Sequence, residues 1–367
     1  MTVTAGEPVA VHQFIATLEH DDVGTHTLRL RDALRRAGRR SEIFAETVHD
    51  ELAGEAFAHG TYPEHSTPGD VAVYQVTTPS VLAGYLAEHG LPLVLDLHDD
   101  TGPEDAAGWE PELVDRATRA AEELAELAPE ALLGLARGAS GTRALQRAGC
   151  RRTVVVPVLT DVARITSTPD PRVAAELARG RAEGGTDVLF VGSVEPSNAQ
   201  HELVKALWAL RRLYDGRARL HLVGRTASYA YSRTLLGFVH DLGLASAVRM
   251  HGDVSDASLA ALFAAADVYL SLSGHQGVTA PLIEAMTAGV PVVRRGAGGS
   301  AGRPDSAALV LAAADPSYVA AALHRVGTDE CLRAALTAAG RRRAAELSGN
   351  AAAGRIVATI AEAVGPQ

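Results

Sequence analysis

Short apolar runs with little polar alternation recur along the chain. Between them lie longer segments in which apolar side chains return every three or four positions. The first pattern predicts strands buried on both faces and the second predicts amphipathic helices. In the first half the strand-like runs are Val9–Ile15, Ser41–Ala45, Val71–Val76, Leu93–Leu97, Ala131–Leu135 and Thr153–Val156. A helix is expected after Gly24, with Leu28, Leu30, Leu34 and Ala37 on one face and Gly38 as its stop, and further helices over Pro79–His89 and Pro111–Leu127. The rhythm breaks at Pro157–Pro171, which carries three prolines and no amphipathic pattern.

A second series then starts. Asp187–Val191, Ala218–Val223, Val268–Leu272 and Val290–Val293 read as strands. A helix from about Ala199 presents Leu203, Leu207, Leu210 and Tyr214, another holds Leu259, Leu262 and Phe263, and a short one spans Ala280–Ala288. The Ala-rich stretch Asp315–Val364 reads as helix. The expected organisation is an N-terminal Rossmann-like domain over 1–156, a linker over 157–174, a second Rossmann-like domain over 175–347, and a C-terminal helix over 348–367 that packs back towards the first domain. Two open α/β sheets in series would share a cleft at the carboxyl ends of their strands, where such sheets bind ligands.

Composition narrows the function classes. A chain of 367 residues with 47% hydrophobic and only 4% aromatic residues has room for two cores built from Ala, Val and Leu. A net charge of −10 argues against a nucleic-acid binder, which needs a basic face. Two distant cysteines, Cys150 and Cys331, suggest neither a disulfide framework nor a zinc site. No apolar run approaches a membrane span and Met1–Pro8 lacks a signal-peptide core, so a cytoplasmic location is expected. The oligomeric state is not legible.

The segment Ser271–Val293 carries the most chemistry. It reads as strand, glycine-containing loop and helix. Backbone amides around Gly277, Val278, Thr279 and Ala280 would stand at a helix N-terminus, where free N–H groups and the helix dipole attract phosphate. Glu284, one turn further in, is placed to accept hydrogen bonds from ribose hydroxyls. Such turns are common in α/β folds, and the mechanics alone also fit an ordinary strand–helix turn with a solvated Glu284.

The same segment resembles the signature of glycosyltransferase family 4, the retaining enzymes of GT-B fold. Ser273, His275, Gly277, Pro281, Leu282, Glu284, Ala285, Met286, Gly289, Pro291, Val292 and Val293 match it in order. The stretch from Phe190 to Gln200 resembles the family's phosphate-contacting strand and loop. Leu222–Gly224 resembles the strand end beside the nucleotide, and the His251–Ser255 stretch, with Gly252 and Val254, the loop bordering the base. In the first half, Val11–Phe14 and the Val23–His26 stretch look like the first strand and its loop, and Val94–His98 like the strand that delivers an active-site histidine.

The resemblance implies two Rossmann-like domains with parallel sheets facing a central cleft, a nucleoside-diphosphate sugar as substrate, no cofactor and no catalytic metal. It assigns His98 and the position of Gln276 to the reacting centre. Gly24, His26, Ser193, Asn198, Arg225 and residues 277–280 fall to the phosphates, and Gly224, Gly252, Val254 and Glu284 to the nucleoside.

Three positions depart from the pattern. The first acidic residue of the family's Glu pair is Gln276 here, and the usual Arg and Lys that contact the diphosphate are Ser193 and Asn198. Charge-assisted hydrogen bonds contribute roughly 1.5–3 kcal/mol each, so losing two weakens diphosphate binding by about a hundredfold to ten-thousandfold unless another cation compensates. Arg225 directly follows Gly224 and is the best placed to do so; Arg233, Arg294 and Arg295 are further candidates. The expected activity is transfer of a sugar to a small-molecule acceptor with retention at the anomeric carbon. The alternative is a catalytically degenerate GT-B protein that acts by binding a ligand or partner.

Overall fold

The computed structural model of the chain describes residues 9–273, 277–296 and 307–364, with the backbone alone at Asp105. Two parallel sheets organise it. The first has seven strands: β1 (Val11–Leu18), β2 (Ile43–Val48), β3 (Phe57–Ala58), β4 (Val71–Val76), β5 (Leu93–Leu97), β6 (Leu133–Ala136) and β7 (Thr153–Val155), in the order β3-β2-β1-β4-β5-β6-β7. The second has six: β8 (Asp187–Val191), β9 (Arg219–Val223), β10 (Val248–Gly252), β11 (Val268–Ser271), β12 (Val292–Arg295) and β13 (Leu309–Leu311), in the order β10-β9-β8-β11-β12-β13. The strand pairings recorded in both sheets are all parallel. Helices cover both faces, which is why β4 is buried at all six positions and its sequence shows no alternation.

Strand order reverses once in each sheet, at β1/β4 and at β8/β11. In a doubly wound sheet this switch point is where loops diverge and leave a crevice. The segments that follow β1, β8 and β11 carry the residues singled out above: Gly24 and His26, then Ser193 and Asn198, then Gly277–Ala280. The fold is that of a GT-B protein, with two Rossmann-like units.

Several boundaries differ from the sequence reading. The helix expected after Gly24 spans Asp22–Arg36, because Asp21 caps it by accepting from the Gly24 amide at 2.7 Å. A helix Pro171–Ala182 starts inside the segment read as linker. Its signal is Asp170, whose carboxylate accepts from the amides of Arg172 and Val173, followed by Pro at the first helical position. Strands β3, β10 and β13 were missed. β3 and β13 are two and three residues long, and β10 is only half-buried. The helices Ala139–Arg147 and Tyr229–Asp241 were likewise not singled out.

The Ala-rich end divides into helices Pro316–Thr328, Glu330–Leu347 and Gly349–Val364, the second capped by Asp329. The last of them leaves the second unit and packs on the helix Asp22–Arg36. Ala352, Ala353, Ile356, Val357 and Ile360 there join Leu30, Leu34, Val73 and Val94 in one core.

Candidate active site in the interdomain cleft

The first wall of the cleft is a buried polar system on β1 and at the carboxyl ends of β4, β5 and β6. The Thr27 carbonyl can only accept, and Gln13 Nε2 donates to it at 2.9 Å. That fixes the Gln13 amide, whose Oε1 accepts from Gln75 Nε2 at 2.9 Å. Gln75 Oε1 then lies 2.7 Å from His98 Nε2, so His98 carries its proton on Nε2 and keeps its lone pair on Nδ1. One carbonyl thereby sets the tautomer of a histidine three groups away.

His26 is set differently. Its Nδ1 accepts from the Leu159 amide at 2.9 Å, so its Nε2 carries the proton and donates to Asp96 at 3.0 Å. Both nitrogens of this fully buried ring are committed. His26 therefore ties the segment leaving β7 to the first domain and does not reach a phosphate, as the sequence reading had it. Gly24 is likewise structural: a Cβ there would fall 2.0 Å from the Glu19 carbonyl oxygen, so the first helical turn packs against the end of β1. It is the absence of a side chain, not an anion contact, that the position uses.

Asp96 sits at the centre, fully buried. Arg137, one residue past β6, places Nη2 2.6 Å from its Oδ1. Burial alone would raise this carboxyl, but the Arg137 guanidinium and the two imidazoles hold it well below the ordinary carboxylate range. Burial, followed by the Arg137 charge, lowers His98 and His26, so both rings are neutral. Arg137 Nη2 is also 3.1 and 3.4 Å from the two ring nitrogens of His98. His26, Asp96 and His98 are close enough to share a metal ion. With the guanidinium on Asp96 and both His26 nitrogens engaged, they form a hydrogen-bonded charge cluster instead.

The second wall is built from β8, β9, β11 and the helix Ala280–Ala288. That helix begins at Thr279 with no side-chain cap, with Pro281 in its first turn. Its Glu284 is fully buried, and Arg164 Nε donates to Oε1 at 2.5 Å while Oε2 has no hydrogen-bond partner among the described residues. Burial pushes Glu284 up to about 7 against the pull of Arg164. Arg164 also bonds Asp22 of the first domain at 3.3 Å, so one guanidinium links both walls.

Gly277 brings the walls close together: a Cβ there would lie 2.9 Å from both Cβ and the carbonyl oxygen of Arg137. The loop leading to Glu284 thus rests on the residue that touches His98. Gln276 lies outside the described residues.

The positions of the missing cations are occupied in an unexpected way. Ser193 Oγ donates to Glu195 at 2.6 Å, and Asn198 Nδ2 donates to the Ser193 carbonyl at 2.9 Å and lies 3.2 Å from Glu195. Both side chains spend their donors on a neighbouring carboxylate. Arg225 does not compensate here; it is exposed and faces Glu19 across the cleft mouth at 3.7 Å. Gly224 brings β9 against β8, since a Cβ would meet the Gly192 carbonyl oxygen at 2.2 Å. Gly252 ends β10, and Val254 packs on the second domain's core.

Two contacts close the walls further. Trp109 packs edge-on against Tyr231 at 4.8 Å, and Glu110 caps the helix Tyr229–Asp241 by accepting from Ser228 Oγ and, at 2.8 Å, from the Ala230 amide. Trp109 therefore faces the other domain. A cavity beside these contacts is lined by Thr77, Asp99, Thr101, Arg116, Glu195 and Ser197, drawn from both domains.

Sequence reasoning missed Asp96, Arg137, Arg164, Gln13, Gln75 and Glu195 as parts of the site. For Gln13, Gln75 and Asp96 the available signal was an amide or carboxylate inside an otherwise apolar strand; Arg137, Arg164 and Glu195 lie outside the strands and had none.

The comparisons agree with this architecture. Residues 185–329 match the family described as Glycosyl transferases group 1. The chain is 34% identical over 202 residues to a D-inositol 3-phosphate glycosyltransferase of Geodermatophilus obscurus, covering 53% of this chain and 43% of that one. It is 34% identical over 186 residues to a GDP-mannose-dependent alpha-(1-6)-phosphatidylinositol monomannoside mannosyltransferase of Mycobacterium tuberculosis, covering 47% and 46%. The match thus spans about half the length of these relatives.

Among solved structures, Anabaena HepE in complex with UDP-glucose superposes with a TM-score of 0.72 at 18% identity, covering 95% of this chain and 98% of that one. WaaG, a glycosyltransferase involved in lipopolysaccharide biosynthesis, gives 0.70 at 17%, covering 95% and 99%. No helix among the described residues is long and apolar enough to cross a membrane. The chain has the GT-B fold, and its residues 185–329 are similar to the family described as Glycosyl transferases group 1.

Proposed function

We propose that the protein transfers a sugar from a nucleoside-diphosphate sugar to a small-molecule acceptor, with retention and without a catalytic metal. The observation that carries this reading is Glu284. It is a fully buried carboxylate with one oxygen bound by Arg164 and the other unpaired among the described residues, one turn inside a helix whose start opens on the cleft. An unpaired buried acceptor costs about 1–3 kcal/mol until a donor meets it, and a ribose hydroxyl is such a donor.

In this scheme the amides of residues 277–280 hold phosphate charge, Gly224, Gly252 and Val254 border the nucleoside, and His98 orients the sugar with its fixed Nε2–H tautomer. The acceptor enters over the first domain, and the departing phosphate takes the acceptor's proton. The relatives' names supply the reagents to try: UDP-glucose and GDP-mannose as donors, inositol 3-phosphate as acceptor.

The test is incubation of the purified chain with UDP-, GDP- and dTDP-sugars, with and without inositol phosphates, in the presence of EDTA. Donor turnover or hydrolysis is the expected result, and no binding of any of these donors overturns the reading.

A second reading, a GT-B protein that binds without catalysis, is favoured by Glu195, which places a carboxylate where diphosphate charge would be met and occupies Ser193 and Asn198. Ser193→Arg with Asn198→Lys separates the two: activity that appears only in the double variant supports binding without catalysis, and an active natural protein rules it out.

A further inference from the structure

The parallel pairing of β1 with β2 sets Leu18 beside Val48, and the His49 amide donates to the Leu18 carbonyl at 2.9 Å. The turns leaving the two strands therefore start side by side, with His20 on one and His49 on the other. A short helical turn over Asp50–Leu52 then brings Glu51 back beside both. His20 Nε2 lies 3.2 Å from Glu51 Oε2, and the two imidazole rings stand 5.9 Å apart, edge to face. One ring nitrogen of each histidine and a carboxylate oxygen of Glu51 all lie within 4.8 Å of one another. All three side chains are exposed, so an ion from solution can reach them.

We propose that His20, His49 and Glu51 bind a divalent transition-metal ion of the zinc type. Ligands about 2.1 Å from zinc in a tetrahedron stand roughly 3.4 Å apart. The 3.2 Å between His20 and Glu51 is close to that separation, and the ion takes the place of the proton those two groups share. His49 joins by rotation of an exposed ring: its Nδ1 accepts from the Glu51 amide at 3.4 Å, too long a contact to hold the ring firmly. Two imidazoles and one carboxylate suit zinc, cobalt or nickel, whereas calcium and magnesium call for oxygen ligands. Three protein ligands leave a fourth position to water. The surroundings favour a cation, since residues 19–22 and 49–51 carry five carboxylates and neither Lys nor Arg. Arg225 faces Glu19 and Arg164 faces Asp22, and the other three carboxylates have no ion pair with Arg or Lys among the described residues. The set uses no residue assigned to the cleft, so the inference does not depend on how the cleft is read. Bound there, the ion pins the turn that runs into Asp21, the cap of the helix Asp22–Arg36, to the end of β2.

The experiment is calorimetric titration of the full chain, stripped with EDTA and then freed of it, using Zn2+, with Ca2+ and Mg2+ as controls. The expected result is one equivalent of bound Zn2+, no binding of the other two ions in the same range, and a melting temperature raised by Zn2+. His20→Asn, His49→Asn and Glu51→Gln are each expected to lose at least about tenfold in Zn2+ affinity, since even a partner outside the ligand set contributes about 10–100-fold in metal sites. Glu51→His replaces the carboxylate by a third imidazole and is expected to keep the affinity within about threefold. His240→Asn, at an exposed histidine outside the set, is expected to change nothing. The substituted side chains are exposed, so the variants keep the fold, which their metal-free melting temperatures check.

A natural protein that binds no Zn2+ overturns the proposal. One-equivalent binding that survives His20→Asn, His49→Asn and Glu51→Gln overturns it too, because the ion then sits elsewhere. So does weak binding of several equivalents that His240→Asn reduces as much as His49→Asn does, the mark of an adventitious ion only. Loss of affinity in Glu51→His as large as in Glu51→Gln overturns the role of residue 51 as a ligand and the proposal with it. None of these outcomes bears on the reading of the cleft.

Discussion

Glu284 shows how one burial decides the chemistry of a site. With Oε1 accepting from Arg164, a proton taken up by Glu284 goes to Oε2, and the group that should accept from ribose becomes a donor. Its proton affinity is raised to about 7 in the folded chain, above its unfolded value, so the competent carboxylate is lost as pH falls through 7. Nucleotide affinity is therefore expected to be about tenfold weaker at pH 6 than at pH 8, the factor by which the ionised fraction falls. Calorimetric titration across that range checks this, and a flat profile would contradict it. The same shift makes fold stability fall as pH rises from the ordinary carboxylate range towards 7, because the folded state binds the extra proton there. Glu284→Gln is expected to remove that slope from the melting temperature. His98 and His26 are neutral through the same range because burial lowers both, so neither confuses the profile.

At the scale of elements, two short backbone features hold the cleft loops. Gly24 lets the helix Asp22–Arg36 begin against the end of β1. Gly24→Ala drives a methyl into the Glu19 carbonyl and is expected to destabilise by more than about 2 kcal/mol, read by urea unfolding. Ala199 does the reverse. It is the only non-glycine with positive φ among the described residues, at 51°, where it starts the helix Gln200–Leu213. Ala199→Gly is expected to stabilise, or at least cost nothing, by up to about 1 kcal/mol, since an L side chain is disfavoured there. A clear drop in stability would show that the turn is held by more than its backbone. The residues 193–198 lead straight into this turn, so the strain sits beside the loop that carries Ser193 and Asn198.

The whole molecule is held closed by contacts that no single domain could make. Arg164 joins Asp22 to Glu284, Glu110 caps a helix of the opposite domain, and Trp109 packs on Tyr231. Trp109→Ala removes the largest apolar part of this closure. The variant is expected to show a larger radius of gyration in small-angle scattering without nucleotide, and to return towards the natural value when nucleotide binds. An unchanged radius would mean that the polar contacts suffice. The helix Gly349–Val364 crosses back to the first domain, so chain connectivity joins the units at a second place besides the segment after β7.

The apolar runs determined the larger part of the fold by themselves. Val71–Val76, Leu93–Leu97 and Asp187–Val191 were legible to the residue because a strand buried on both faces is mostly apolar, while β3, β10 and β13 are too short or too exposed to leave that trace. The ordered match from Ser273 to Val293 likewise placed Glu284 and the loop at Gly277 in the sequence itself. What only the tertiary structure decided is which side chains are already spoken for. His26, Ser193 and Asn198 had the right positions, but partners 133 residues away or just two or three residues along the chain use their hydrogen-bonding groups. Arg137 and Arg164 had no local pattern, yet the cleft brings them to the carboxylates they hold. Periodicity reports burial of an element as a whole; it carries no record of where each donor and acceptor finds its partner once two domains meet.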